Sequence, residues 1–149
     1  MEQGALNAQV AGAIPSNTPV RVEAGATLNL FEHPVVLSTF TGAGSVINGD
    51  VTVTNAVRAS CAELFAGRHA TFANALAFAE GAVFEITDPE NLETYAKRGS
   101  VAAFTAQTVN GAPTLRIEGY AGPTKWSLFT SGAGSYNFGP VIGTMLLLK

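Results

Sequence analysis

The sequence predicts an all-β chain folded as a short β-solenoid of a few coils. Three observations predict it. Apolar and polar residues alternate over runs of three to six, glycine-bearing turns punctuate those runs, and separate stretches echo one another.

Residues 1–19 are rich in Ala, Gly and Asn and include Pro15-Ser16-Asn17-Thr18-Pro19, which reads as a loop or a makeshift N-terminal cap. Coils are expected over 20–86. Val20-Arg21-Val22 alternates, Glu23-Ala24-Gly25-Ala26 turns, and Thr27-Leu28-Asn29-Leu30 alternates again. Val35 to Phe40 continues the pattern, followed by the Thr41-Gly42-Ala43-Gly44 turn, the stub Ser45-Val46-Ile47, the Asn48-Gly49-Asp50 turn and Val51-Thr52-Val53-Thr54. Val22, Leu28, Leu30, Val46, Val51 and Val53 form the expected inward row, buried by stacking of one coil on the next. Asn29, Asn48, Asn55, Asn74 and Asn110 suit corners, where Asn tolerates left-handed backbone, although ordinary turn usage explains them equally well.

The stretch 56–69 is open between helix and strand, with 57–66 the undecided core of it. Val57, Cys61 and Phe65 keep helical spacing in an Ala-rich run, but Gly67 opposes a long helix. Residues 70–79 read as strand, because Phe72, Leu76 and Phe78 alternate with small residues. Glu80-Gly81-Ala82-Val83-Phe84-Glu85-Ile86 echoes Ala24-Gly25-Ala26-Thr27-Leu28-Asn29-Leu30, with Gly81 lying 56 residues after Gly25, room for three coils of about nineteen. Thr41-Gly42-Ala43-Gly44-Ser45 and Ser131-Gly132-Ala133-Gly134-Ser135 form a second echo.

A helical insertion is expected over 87–99, with its helix at about 89–98. Asp88 caps, Pro89 takes the first position, Leu92, Tyr95 and Ala96 share a face, and Gly99 stops it. Residues 100–149 are expected to form an antiparallel meander that caps the C-terminal end. In it Val101 to Val109 turns at Asn110-Gly111 into Thr114 to Glu118 as a hairpin, and Lys125 to Phe129, Ser135 to Phe138 and Thr144 to Leu148 follow.

Composition narrows the function classes. Hydrophobic residues make up 47% and charged residues 13%, against about 25% charged in an ordinary soluble domain, so Thr, Ser, Asn, Gly and Ala must cover the surface. The net charge is −3 and the eight Lys and Arg are scattered, which argues against nucleic acid as a partner. The longest apolar run is Met145 to Leu148, far short of the roughly 18 residues of a membrane-spanning helix, so membrane insertion is not expected. Cys61 is alone and reads as a buried, inert thiol. Met1-Glu2-Gln3-Gly4 shows no charged region leading into an apolar stretch, so the chain is expected to be cytoplasmic or an excerpt of a longer secreted precursor, and the β pattern favours the excerpt.

No catalytic centre assembles from the residues. His33 and His69 have no partner at metal spacing, and no cofactor is expected. The enzymatic alternative is a polysaccharide-cleaving β-helix, which needs two facing carboxyls. Asp50 and Asp88 have structural places in a turn and a cap, and Glu85 has no partner. Trp126, Tyr120 and Tyr136 are the candidate ligand-stacking residues. A groove lined by all three would favour sugar binding, and their dispersal a scaffold. Trp126 and Leu128 are expected on the core side of their strand.

The stretches 41–54 and Ala79 to Ile86, with the ending from Lys125-Trp126-Ser127 to Gly143-Thr144-Met145-Leu146-Leu147-Leu148-Lys149, resemble the C-terminal region of bacterial proteins with autotransporter-associated β-strand repeats. The resemblance spans residues 20–149 and is one of pattern. It implies a passenger-type right-handed β-helix on the cell surface or secreted, in a form that no outer-membrane barrel follows, with no shared active site. The expected function is therefore a non-enzymatic structural or adhesin-like module, the C-terminal part of a larger passenger-type protein. A carbohydrate-binding or carbohydrate-active β-helix is the alternative, and a cytoplasmic or phage structural subunit stands third. Expected partners are a glycan or host-surface ligand, and a second copy through an exposed coil or strand edge.

Overall fold

The computed structural model describes residues 4–7, 14–132 and 134–141. Over the described residues the protein is predominantly β, with 51% strand and 10% helix in two short helices, and its sheet is open. Three parallel ladders carry it, and the chain visits them in a fixed order.

The first ladder joins β1 (Gly4–Asn7), β3 (Ala26–Asn29), β5 (Ser45–Ile47), the start of β7 (Ala70–Phe78) and β9 (Val101–Asn110). The second joins the start of β4 (Val35–Thr41), the start of β6 (Val51–Ala59) and the ends of β7 and β9. The third joins β2 (Thr18–Arg21), the ends of β4 and β6, β8 (Val83–Ile86) and β10 (Thr114–Arg116). The long strands serve two ladders each because their registers slip midway, between Leu37 and Thr39 in β4 and between Phe72 and Ala75 in β7. Such an irregularity bends a strand and lets it turn a corner without a loop.

Parallel registration stacks like on like. Val20, Phe40, Val57, Phe84 and Leu115 are successive partners in the third ladder; Leu28, Val46 and Phe72 in the first; Val35, Val51, Leu76 and Val109 in the second. These rows meet inside, where the Phe40 and Phe72 rings lie 4.9 Å apart and Phe104 touches both Phe78 and Phe84 at 5.6 Å. Val22, Leu28, Leu30, Val46, Val51 and Val53 are all buried, as the alternation predicts. Each such side chain contributes about 1.5–3 kcal/mol on burial.

The undecided stretch divides. Residues 51–59 are strand, and α1 (Cys61–Phe65) is a single short helix that buries Cys61, Leu64 and Phe65. The strand read over 70–79 is β7. Four expectations need correction. Residues 1–19, read as a loop or a makeshift N-terminal cap, contain β1 at 4–7, a strand beside β3, which corrects the loop half of that reading. The helix near 89–98 is a short 3₁₀ helix over Pro89–Tyr95, and Asp88, expected to cap it, gives it no side-chain cap and turns its carboxylate to the backbone N–H groups of Cys61 and Ala62 instead. The Asn110-Gly111 hairpin does not form. Gly111, at φ +89°, turns the corner between ladders, and a Cβ there would drive into the Phe78 carbonyl oxygen. Lastly, the Gly25 and Gly81 echo links strands of different ladders, β3 and β8, so it repeats a local turn, not a coil. Among the described residues, antiparallel pairing begins only where β12 (Ser135–Pro140) joins β9 and is itself paired by β11 (Trp126–Gly132). The strand expected at 144–148 lies outside the described residues.

Candidate functional site

The outward faces hold the polar chemistry, and parallel registration arranges it in columns about 4.8 Å per step. In the third ladder Arg21, Thr41, Arg58, Glu85 and Arg116 are successive register partners. Glu85 is 15% exposed and sits between two arginines, 3.1 Å from Arg58 Nε and 4.0 Å from Arg116 Nε. Arg21 and Arg116, at the two ends, each pair at 2.7 Å with the glutamate two residues on, Glu23 and Glu118. Exposed pairs of this kind contribute at most about 1 kcal/mol each, so they order the surface more than they stabilise it. Thr41 stands between Arg21 and Arg58 without a charge of its own. A shallow cleft of about 300 Å³ opens there, lined by Arg21, Glu23, Thr41, Ser60 and Glu63 among others.

The first ladder carries a column of hydroxyls: Thr27, Ser45, Thr71 and Thr105, then Ser135 across the antiparallel junction. Ser45 Oγ and Thr71 Oγ1 are hydrogen-bonded at 2.8 Å. Asparagines hold the corners. Asn48, at φ +61°, donates its amide to Asn29 Oδ1 at 3.1 Å, and Asn74 Oδ1 accepts the Gly49 N–H at 3.1 Å.

Of the three candidate stacking residues, the structure brings two together. Trp126 lies face to face with Phe138 at 5.0 Å and edge-on to Phe65 at 6.2 Å, and its indole N–H donates to the Tyr120 hydroxyl at 3.2 Å. The Tyr120 hydroxyl in turn donates to Glu93, which also accepts from Thr124 Oγ1 at 3.1 Å. The Tyr120 bond first, and those from Thr124, hold the Glu93 carboxyl below its usual range against a smaller effect of burial. Tyr136 stacks instead on Phe104 at 5.1 Å. Trp126 and Leu128 are both half-buried against the core, so the face is the expected one while the depth is less.

Sequence reasoning missed the densest polar cluster, around Asp88. Its carboxylate accepts from Cys61 N at 2.7 Å, Ala62 N at 3.2 Å, Ser60 Oγ at 2.8 Å and Asn91 Nδ2 at 3.1 Å. Burial alone would raise its pKa, but these four bonds outweigh it and leave the pKa lowered. Burial first, then the neighbouring Asp88 and Glu90, pushes the Cys61 thiol up to about 12, so it is no nucleophile at neutral pH. Burial lowers the pKa of His69. Among the described residues no three His, Cys, Asp or Glu side chains converge on a metal-sized site, and no helix is long and apolar enough to cross a membrane. A further echo was legible and unread: Val20-Arg21-Val22-Glu23 and Leu115-Arg116-Ile117-Glu118, the first and last strands of one ladder with the residues that follow each.

No family model, curated protein or solved structure matches the chain.

Proposed function

We propose that the chain is a short right-handed β-solenoid with an antiparallel C-terminal cap, acting as a non-enzymatic scaffold or adhesin-like module at the cell surface or in secreted form. It would be the C-terminal part of a larger passenger-type protein of the kind with autotransporter-associated β-strand repeats. The observation that carries this reading is that the outward polar side chains satisfy one another along the stack. Glu85 bridges Arg58 and Arg116, Ser45 bonds Thr71, and Asn48 bonds Asn29. Side chains spent on cohesion between stacked strands make a stiff spacer, in which stability propagates from neighbour to neighbour. The surface left between them is small and hydroxyl-bearing, which suits a display module. Immunolabelling of intact cells against permeabilised ones tests the location. Surface labelling is expected, and label confined to permeabilised cells overturns it.

The carbohydrate-binding alternative is favoured by one corner, where the Trp126 ring, the Tyr120 hydroxyl, Glu93 and Thr124 are neighbours. Sugars present both apolar faces to rings and hydroxyls to carboxylates. A glycan array separates the readings. Binding lost in Trp126→Ala supports the sugar reading, and an array silent for the folded wild type supports the scaffold.

A further inference from the structure

Residues 117–125 join β10 to β11 by an irregular path with one turn at Glu118-Gly119. Among the described residues, none of the stretch 118–124 makes a backbone-to-backbone hydrogen bond with another element. Side chains hold it instead. Ile117 and Tyr120 pack partly against the core, and two hydroxyls of the segment converge on one carboxylate. The Tyr120 hydroxyl donates to Glu93 Oε2, and Thr124 Oγ1 donates to Glu93 Oε1 at 3.1 Å. Gly122 permits the approach: a Cβ there would stand 2.6 Å from Glu93 Oε2 and from the Tyr120 hydroxyl oxygen.

The corner therefore has an anchored half and a covering half. Glu93 belongs to the 3₁₀ helix Pro89–Tyr95, which buries Leu92, and Trp126 belongs to β11, where its ring lies on Phe138. Tyr120 and Thr124 belong to the connecting segment. Glu93 is exposed and, among the described residues, has no basic partner within ion-pair distance. A carboxylate in that state draws hydroxyl donors, and charge-assisted bonds are stronger than those between neutral groups. Each of its oxygens takes one hydroxyl, side by side, as the neighbouring hydroxyls of a sugar would present themselves. The indole N–H of Trp126, a donor that a ligand oxygen could take, is spent on the Tyr120 oxygen at 3.2 Å. The chain thus fills with its own hydroxyls the polar positions at which a polyhydroxylated ligand would be held.

We propose that residues 117–125 form an autoinhibitory strap, in which Tyr120 and Thr124 occupy Glu93 and the Trp126 indole N–H in place of a glycan that binds by displacing them. The ligand class rests on the carbohydrate-binding reading of this corner given above. A segment without ladder pairing and with few buried contacts opens at low cost. The strap lowers the apparent affinity by the fraction of chains in which it is open, so a strap open about one tenth of the time lowers it about tenfold.

Two measurements test it, the first without ligand. Trp126 is the chain's one tryptophan, so its indole N–H gives a single proton resonance whose exchange with solvent can be timed. Glu93→Ala removes the anchor and leaves both atoms of the Trp126–Tyr120 bond in place. Indole exchange is expected to quicken severalfold as the strap lifts, with circular dichroism unchanged. An unchanged rate means that the packing of Ile117 and Tyr120 holds the segment, and overturns the proposal. The second measurement compares full chains on a glycan array: wild type, the double variant Tyr120→Phe with Thr124→Val, and that variant with Glu93→Ala added. The double variant keeps Glu93 and Trp126 and is expected to bind about tenfold more strongly than wild type. Adding Glu93→Ala is expected to abolish the gain. Wild type binding as strongly as the double variant overturns the proposal and leaves the carbohydrate reading standing. A gain that survives Glu93→Ala puts the binding elsewhere and overturns it as well. Arrays silent for all three proteins overturn it together with the carbohydrate reading.

Discussion

The Asp88 carboxylate caps a helix that is not its own. It accepts the backbone N–H of Cys61, 27 residues earlier in the chain, at 2.7 Å, and so closes the start of α1 from a later segment. Ser60, the N-cap residue of α1, accepts from Glu63 N at 3.4 Å through its hydroxyl oxygen and donates its hydroxyl to Asp88 at 2.8 Å. The two inserted helices are thereby tied together, with Leu92 and Phe65 buried beneath them.

Stability should fall in acid through this group. Asp88 has a folded pKa below the ordinary aspartate value of 3.8, so the unfolded chain takes up the proton first. Its contribution is complete above that unfolded value and is lost as pH falls through the lower folded value. Thermal unfolding measured between about pH 2 and 6 should show this loss, and Asp88→Ala should remove that part of the slope. At neutral pH the same substitution should cost about 0.5–2 kcal/mol as a lost cap. A pH profile identical in wild type and variant would contradict the capping role.

Cys61 should be silent toward thiol reagents in the native protein. It is fully buried, its Sγ lies 3.5 Å from the Asp88 carbonyl oxygen, and its pKa of about 12 leaves almost no thiolate at pH 8. Titration with a chromogenic disulfide should give no signal until denaturant is added, then one equivalent per chain. Rapid native labelling would mean that α1 opens.

Two glycines with the same backbone angle should tolerate alanine differently. Gly81 (φ +87°) has open space where a Cβ would stand, so Gly81→Ala should cost only the left-handed penalty, about 1–2 kcal/mol. Gly111 (φ +89°) is backed by the Phe78 carbonyl, so Gly111→Ala adds an overpacking penalty of about 1–3 kcal/mol. Urea unfolding ranks them. Equal losses would show that Gly111 does not pack against β7.

The two Asn-Gly steps should age at different rates. Deamidation requires the glycine nitrogen to attack the asparagine carbonyl carbon and expel ammonia, before water opens the ring. Gly49 N is held by Asn74 Oδ1, and the Asn48 amide by Asn29, whereas Asn110 and Gly111 are exposed. Peptide mapping after storage should find Asn110 converted first, and Asn74→Ala should accelerate loss at Asn48. Faster loss at Asn48 in the wild type would contradict the corner bonding.

Much of the fold was legible because burial writes itself in a period of two. Val51, Val53, Phe72 and Leu76 alternate with exposed or half-exposed neighbours, and each is buried. Pairing direction was not legible, since alternation is the same in parallel and antiparallel strands. Asn110-Gly111 therefore reads as a hairpin until Phe78 is known to lie behind it. Asp88 carries a capping signature that names no helix, and the nearest one downstream drew the assignment. Of the candidate site, Trp126 and Tyr120 stand six residues apart and meet. Tyr136 is drawn away by Phe104, a contact that only the β9–β12 register reveals.

The central claim is parallel, in-register stacking, and a disulfide across the first ladder tests it most directly. Ser45 and Thr71 are register partners whose hydroxyl oxygens lie 2.8 Å apart, although 26 residues separate them. Adjacent strands about 4.8 Å apart suit a disulfide, whose Cα atoms stand roughly 4.4–6.8 Å apart. The double variant Ser45→Cys with Thr71→Cys should oxidise to a single intrachain bond, raise the unfolding temperature and leave Cys61 reduced. The pair Gln107→Cys with Thr114→Cys, which a two-residue hairpin at Asn110-Gly111 would set opposite each other, should stay reduced. Closure of the second pair and not the first would contradict the stacked ladders.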